Sequence, residues 1–273
     1  MKNTWLITWF TLREAMARKV FIFFAIISLL VILGSILIFS VIDTESLIGG
    51  FAVEGQELQL AQIVTALELI IISPLAGLCL LLAIFSSASF IPNMLEKGNI
   101  DLLLSKPVSR TQLLWGKYFG GIIVVLLNIA FLILGVWLTI SFKLGYWDIS
   151  FLSVIFVVTF TFAVLYSIIV LFGVLTKSSI FGMMAAYFIF IILSPLMNFA
   201  NTQLKVFVES ETIRGIIKVI YYIVPKTSEL MGQITLNLAS GKGITDFQPV
   251  LTSFLFLILV MGISNFIFVK KDF

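Results

Sequence analysis

Long apolar runs separated by short polar segments are the main pattern along this chain. A helix that crosses a bilayer needs about 20 consecutive, mostly apolar residues, and six of the runs meet that requirement. The first would form a helix roughly 35 Å long, enough to cross a hydrocarbon core of roughly 30 Å with some tilt. The predicted spans are residues 20–42, 65–90, 118–142, 151–175, 180–199 and 250–269. The pattern predicts an all-α integral membrane protein in which residues 1–273 form a single transmembrane domain.

Residues 1–19 precede the first span and have apolar side chains at helical spacing, with Arg13, Arg18 and Lys19 off that stripe. This pattern is typical of an amphipathic helix that lies at the membrane surface. An irregular tail with two interfacial tryptophans is the alternative. The apolar positions of the stripe are Trp5, Leu6, Trp9, Leu12 and Met16.

Residues 200–249, between the fifth and sixth predicted spans, form the longest connection. They contain an apolar stretch that is too short to cross a bilayer and is interrupted by Lys218. Stretches of about 10–14 apolar residues are more often re-entrant or interfacial than spanning. We therefore predict one helix that ends before Pro225 and a second, short helix over residues 227–240.

Composition supports a membrane protein and narrows its chemistry. Hydrophobic residues make up 60% of the chain and charged residues 11%, whereas about a quarter of a soluble domain is charged. The net charge of +3 and the lack of a basic stripe argue against a nucleic-acid partner. The chain has no histidine and one cysteine, Cys79, so the sequence predicts no metal site.

The distribution of charge predicts the orientation in the membrane. Six spans place both termini on one side, together with residues 91–117 and the short turn at Lys177. These segments hold 11 Lys and Arg and 4 Asp and Glu, whereas the other side holds 6 and 10. Because cytoplasmic segments are enriched in Lys and Arg, we predict that both termini are cytoplasmic and that the 200–249 loop is extracytoplasmic.

One cytoplasmic segment, EKGNIDLLLSKPVSRTQLLWGK, combines charges with leucines between two spans. It contains six of the chain's charged residues in 22 positions. Asn99 is a suitable N-cap for a short helix, Asp101 lies in its first turn, and Pro107 stops it. One face of that helix would be apolar. That face comprises Ile100, Leu103 and Leu104.

A second helix is predicted to begin at Ser109, because Gln112 three residues later completes a capping-box pattern. Lys117 then marks the beginning of the next span. The leucine face of the first helix must be buried against lipid headgroups, the rest of this chain or another protein. Mixed charges beside leucines favour a protein groove over a purely lipid-binding surface.

This segment resembles the cytoplasmic loop of ABC-2 type permeases, the membrane subunits of one class of ABC transporters, and the chain is similar to the NosY-like branch of that family. Asn99 departs from the usual Thr or Ser but caps a helix equally well. The N-terminal sequence LREAMARKVFIFF resembles the surface helix of the same family. The matching positions are Glu96, Gly98, Ile100, Asp101, Leu102, Leu103, Leu104, Ser105, Pro107, Val108, Ser109, Arg110 and Lys117.

The resemblance implies that the segment is a coupling helix that docks on a separate ABC ATPase. The chain has no G-x-x-x-x-G-K-[ST] motif, so ATP and Mg²⁺ would bind the partner ATPase and no cofactor is expected on this chain. Lys177 is a candidate second cytoplasmic contact. The implied docking residues are Glu96, Gly98, Asn99, Ile100, Asp101, Leu103, Leu104, Pro107, Ser109 and Arg110.

The resemblance also implies an exporter in a bacterial-type inner membrane. Two permease copies would form a homodimer or heterodimer, and the 200–249 loop could close the outer gate or bind a periplasmic partner. An ATP-independent carrier or channel, or a membrane anchor for a partner complex, is the alternative function. The lack of histidine excludes the common Ser-His and H-E-x-x-H enzyme arrangements, so we expect no enzymatic activity on this chain.

Two polar residues within the predicted spans are candidates for a transport pathway. Glu68 is the only acid within a span, and such acids are often functional, although its position near the outer end favours a carboxylate that reaches water. Asn128 lies deeper. It either lines a pathway or, as we expect, donates a hydrogen bond to a neighbouring helix.

Overall fold

A computed structural model of the chain describes residues 2–17, 19–42, 60–96, 98, 108–207 and 211–271. These residues form helices and connecting turns, with no β-strand among them. Within these ranges six helical segments are long and apolar enough to cross a membrane, in agreement with the predicted number of spans. The six segments are Phe24–Val41, Leu60–Met94, Arg110–Leu144, Ile149–Thr176, Ser179–Gln203 and Gln248–Lys270.

The helices follow the predicted order along the chain. They are α1 Lys2–Ala17, α2 Lys19–Val41, α3 Leu60–Ser87, α4 Phe90–Met94, α5 Arg110–Leu144, α6 Val154–Thr176, α7 Ser179–Tyr187, α8 Ser194–Phe207, α9 Glu211–Ile223, α10 Thr227–Glu229, α11 Thr235–Ala239 and α12 Gln248–Lys270. A 3-10 turn precedes α6, and π-helical turns connect α7 to α8 and α10 to α11. These turns are Ile149–Ser153, Phe188–Leu193 and Leu230–Ile234.

Helix α6 lies at the centre of the bundle. In an apolar stretch of 18 residues within its span 83% of the residues are buried within the protein, against 17% in the corresponding stretch of the Ser179–Gln203 span. Tyr118 of α5 stacks on Tyr166 of α6, with ring centroids 5.5 Å apart, and its hydroxyl donates to the Ala163 carbonyl at 2.9 Å. The apolar side chains exposed on the peripheral helices can contact lipid or a second subunit, because lipid chains are as apolar as the side chains themselves.

Helix α1 packs against the first half of α5. A Cβ atom at Gly120 would lie 2.4 Å from Cβ of Thr11, so only glycine permits this approach. The Glu14 carboxylate pairs with the Lys117 ammonium at 2.5 Å. The predicted apolar stripe of α1 is therefore divided: Leu12 is buried, whereas Trp5 is exposed. The placement of α1 at the membrane surface stays a prediction.

The bundle has two ends, which we name after one residue of each. The Arg110 end comprises the beginning of α5 and the last residues of α3, α6 and α12. The Asp148 end comprises the beginning of α3, the connection from α5 to α6 and the beginning of α12. Hydrogen bonds between elements define both ends: Arg110 donates to Lys271, and Thr65 donates to Asp148.

Candidate functional site

The structure describes only the two edges of the charged segment between α4 and α5. Six residues predicted to dock a partner lie outside the described residues: Asn99, Ile100, Asp101, Leu103, Leu104 and Pro107. At the first edge, Glu96 is exposed and Gly98 has a φ of +91°. This left-handed backbone conformation is costly for any residue with a Cβ atom, which gives a physical reason for the glycine in the motif.

The second edge begins α5. The Ser109 hydroxyl accepts a hydrogen bond from the Gln112 N–H, and the Gln112 side chain accepts one from the Ser109 N–H, both at 3.2 Å. The predicted capping box is thus confirmed. The helix predicted from Ser109 continues without interruption into the third predicted span, because no residue between them interrupts helical hydrogen bonding and Lys117 is paired with Glu14.

Arg110 connects the beginning of α5 to the end of α12. Its guanidinium donates to the Lys271 carbonyl at 2.6 Å and to the Val269 carbonyl at 3.3 Å. These carbonyls lie at the end of a helix, where the last four have no intrahelical partner and the helix dipole favours a positive charge. The motif arginine is therefore bonded within the chain.

Lys271 connects α12 in turn to the end of α6. Its ammonium donates to the Val174 and Leu175 carbonyls at 2.7 and 3.0 Å. Lys177 lies in the next turn, exposed and with a φ of 56°. The structure thus brings Arg110 and the Lys177 turn to the same end of the bundle through Lys271. Sequence reasoning predicted the two cations as site residues but missed the lysine that joins them.

The two pathway candidates differ from the prediction in their surroundings. Glu68 is completely buried, and among the residues that the structure describes neither carboxylate oxygen has a hydrogen-bond partner. The expectation that its carboxylate reaches water is wrong, because α3 presents it to the protein interior. Asn128 is buried and donates to the Val124 carbonyl of its own helix at 2.9 Å. The expected bond to a neighbouring helix is thus replaced by one to the preceding turn.

Asp148 organises the Asp148 end through three hydrogen bonds. Its carboxylate accepts from the Thr65 hydroxyl at 3.0 Å and from the Ser150 N–H at 3.1 Å. Its carbonyl accepts from the Trp137 indole N–H at 2.8 Å. Asp148 follows a glycine in a left-handed C-cap, Gly145, so the sequence signal was an acid after a helix end. Sequence reasoning did not single it out.

A second polar cluster at this end surrounds Lys226, in the connection between α9 and α10. The Lys226 ammonium donates to the Tyr221 carbonyl, and the Tyr221 hydroxyl donates to the Glu229 carboxylate at 2.7 Å. Burial lowers the pKa of Lys226 to about 8, and Glu229 partly opposes that shift. Burial also raises the pKa of Tyr221, together with the Glu229 carboxylate.

Within the described part of the chain no three His, Cys, Asp or Glu side chains converge as metal ligands do. Cys79 is buried within α3. The structure therefore offers two polar regions at opposite ends of an apolar bundle: one is built on cations at helix ends, and the other contains buried carboxylates together with Lys226.

Six apolar helices and a charged connecting segment define a multi-pass membrane protein. A family model described as ABC-2 family transporter protein matches residues 5–273, so the chain belongs to the ABC-2 transporter family. Members of this family are membrane transport components, not catalytic subunits, and generally work with an ABC ATPase. The chain is accordingly an ABC permease subunit. A search of curated proteins finds no match.

Proposed function

We propose that this permease subunit belongs to an ATP-driven exporter and that residues 96–110 dock on a separate ABC ATPase. The observation that supports this role is the bonding of Arg110. The residue that ends the docking motif also begins α5 and donates to the end of α12. Through Lys271 the same contact extends to the end of α6, the most buried span.

This arrangement gives a path for mechanical coupling. A docked segment that moves with the ATPase would pull on the beginning of α5 and, through Arg110, on α12. Leu103 and Leu104 supply the apolar contact with the ATPase groove in this proposal, and Asn99 caps the docking helix. Lys177 lies in the neighbouring turn and forms the second contact.

The assembly contains two permease copies, as a homodimer or heterodimer, and ATP and Mg²⁺ bind the ATPase. Both termini and the docking segment face the cytoplasm, and the chain resides in the inner membrane of a bacterial-type cell. Residues 200–249 close the outer end or bind a periplasmic partner. We place the chain in the NosY-like branch of the family on the resemblance of its loop motif.

The test is purification of the tagged full-length chain from its native cell in mild detergent, with mass spectrometry of the proteins that co-purify. We expect a stoichiometric ATPase that has a P-loop. The double variant Leu103→Asp with Leu104→Asp should lose it, because two buried charges oppose docking.

The matched control is Leu103→Met with Leu104→Met, which keeps the face apolar and should retain the ATPase. Retention of the ATPase and its activity by the aspartate variant would contradict the docking assignment. A wild-type chain that purifies alone as a stable oligomer would favour the carrier or anchor functions.

A further inference from the structure

Two carboxyl groups lie together at the Asp148 end. Glu68 follows Thr65 by three residues, and this spacing places both on one face of α3. The Thr65 hydroxyl donates to the Asp148 carboxylate at 3.0 Å, so Asp148 lies against α3 one helical turn from Glu68. The connection from α5 to α6 and the interior face of α3 therefore bring two acids to one place.

Neither acid is paired with a positive charge by the described part of the chain. The bonds to the Asp148 carboxylate come from a hydroxyl and a backbone N–H, both neutral donors. Glu68 is fully buried, and no described side chain or backbone group donates a hydrogen bond to its carboxylate. An ionised carboxylate in such surroundings is strongly unfavourable unless a cation compensates it. Glu68 is therefore neutral unless a cation lies nearby, and a cation bound beside it would favour the ionised form.

A cavity of about 510 Å³ adjoins this pair. Its volume falls within the range of roughly 300–1,000 Å³ that is typical of small-molecule sites. Asp148 lines the cavity directly, and Glu68 lies behind Thr65, one helical turn further into the bundle. The polar lining comprises Gln62, Thr65, Tyr146, Asp148, Ser150, Ser240 and Lys242.

The lining favours an ammonium group as the ligand. A carboxylate and neutral oxygen acceptors suit its three N–H donors, and the Tyr146 ring adds an aromatic surface that attracts cations. Lys242 is the opposing charge. It is exposed in the turn after α11, and its long side chain can leave the cavity for water while a ligand binds.

We propose that this cavity is a binding site for an organic cation whose ammonium group binds Asp148 and is further attracted by Glu68. The site is separate from the proposed ATPase-docking segment, because it lies at the opposite end of the bundle. Binding at the Asp148 end can therefore be tested without the ATPase.

The experiment measures binding of dansylcadaverine, a fluorescent primary amine, to the full-length chain in lipid nanodiscs by fluorescence polarisation. Empty nanodiscs correct for partition into lipid, and the N-acetylated derivative is the neutral control ligand. We expect Asp148→Asn to weaken binding by about tenfold or more, which corresponds to one charge-assisted hydrogen bond. Glu68→Gln should weaken it by about threefold, because it acts at longer range.

Lys242→Gln should strengthen binding by about threefold, because it removes the competing charge. A purely structural role of these residues would not predict an increase. The control is Asp246→Asn, an exposed acid that accepts from the Gln248 N–H; asparagine can keep that bond, so the affinity should stay unchanged.

Equal binding of the amine and its acetylated derivative would overturn the proposal. So would unchanged affinity in Asp148→Asn, or weaker binding in Lys242→Gln. Monodisperse elution and the unfolding temperature verify that each variant is folded. If Asp148→Asn does not fold, the exposed Lys242 position decides the outcome.

Discussion

The charged side chains at the two ends of the bundle differ in their hydrogen-bond partners. At the Arg110 end, two cations donate to carbonyls at helix ends, and Lys117 pairs with Glu14. At the Asp148 end, within the described ranges, Glu68 is buried with no hydrogen bond and the donors to the Asp148 carboxylate are neutral.

The cations of the Arg110 end therefore stabilise the fold, whereas the carboxyl groups of the Asp148 end are available to bind a ligand. A cation at a helix end satisfies acceptors that would otherwise be unpaired, so it stabilises the native packing. A buried carboxylate without a partner weakens the fold, and intramembrane acids of this kind are functional candidates. Proposed coupling and proposed binding therefore use different ends.

The largest expected effect is at the Arg110 end. Arg110→Ala should lower the free energy of unfolding by about 2 kcal/mol, because it removes charge-assisted hydrogen bonds to the end of α12. Unfolding of the purified chain in mixed micelles of detergent and SDS measures the change. Arg13→Ala is the matched control. Arg13 is exposed, and among the described residues its one resolved contact is with the Trp9 ring, 5.8 Å from the guanidinium to the ring centroid. Its replacement should therefore lower the free energy of unfolding by less than about 1 kcal/mol. If both variants lower the free energy of unfolding equally, the hydrogen bonds from Arg110 to the end of α12 do not have the stabilising role proposed for them.

A gain in stability is expected at the Asp148 end. Glu68→Leu should raise the free energy of unfolding by about 1.5 kcal/mol, because it removes a buried polar group that has no hydrogen bond. The same unfolding assay applies, with Glu68→Gln as the polar control of similar size and little expected change. A loss of stability in Glu68→Leu would mean that the carboxyl group stabilises the fold, and the comparison between the ends would fail.

The smallest effect concerns pH and Lys226, at the same end. Its pKa is lowered in the folded chain from 10.5 to about 8, so the unfolded chain binds more protons between these values. Stability should then rise with pH, by about 1.4 kcal/mol at most between pH 7 and pH 9. Unfolding measured at both pH values tests this sign.

Lys226→Met is the control for that measurement, since it has no proton to release. Its stability should be nearly independent of pH from 7 to 9. A wild-type chain whose stability falls over the same interval would show that another group dominates the titration at this end.

Much of the architecture was predictable from local pattern. Six apolar runs predicted six spans, and Ser109 with Gln112 predicted the cap of α5. Both depend on residues close together in sequence, where spacing and side-chain type largely determine the outcome.

The surroundings of the polar residues were not predictable in the same way. Glu68 was expected to reach water and is buried, and Asn128 was expected to bond a neighbour and bonds its own helix. The depth of a residue along a span follows from its number, whereas which neighbouring helix its side chain contacts depends on how the helices pack.

The sequence by itself determined the class of protein. Helices that cross a bilayer need long apolar runs, and a chain with six such runs is typical of a membrane protein and not of a soluble one. It also determined the family, through the match over residues 5–273. Only the tertiary structure decided which charges are paired. Arg110 meets Lys271, and Thr65 meets Asp148, across separations of 161 and 83 residues. Such contacts arise from the crossing of whole helices, and no local pattern specifies that geometry.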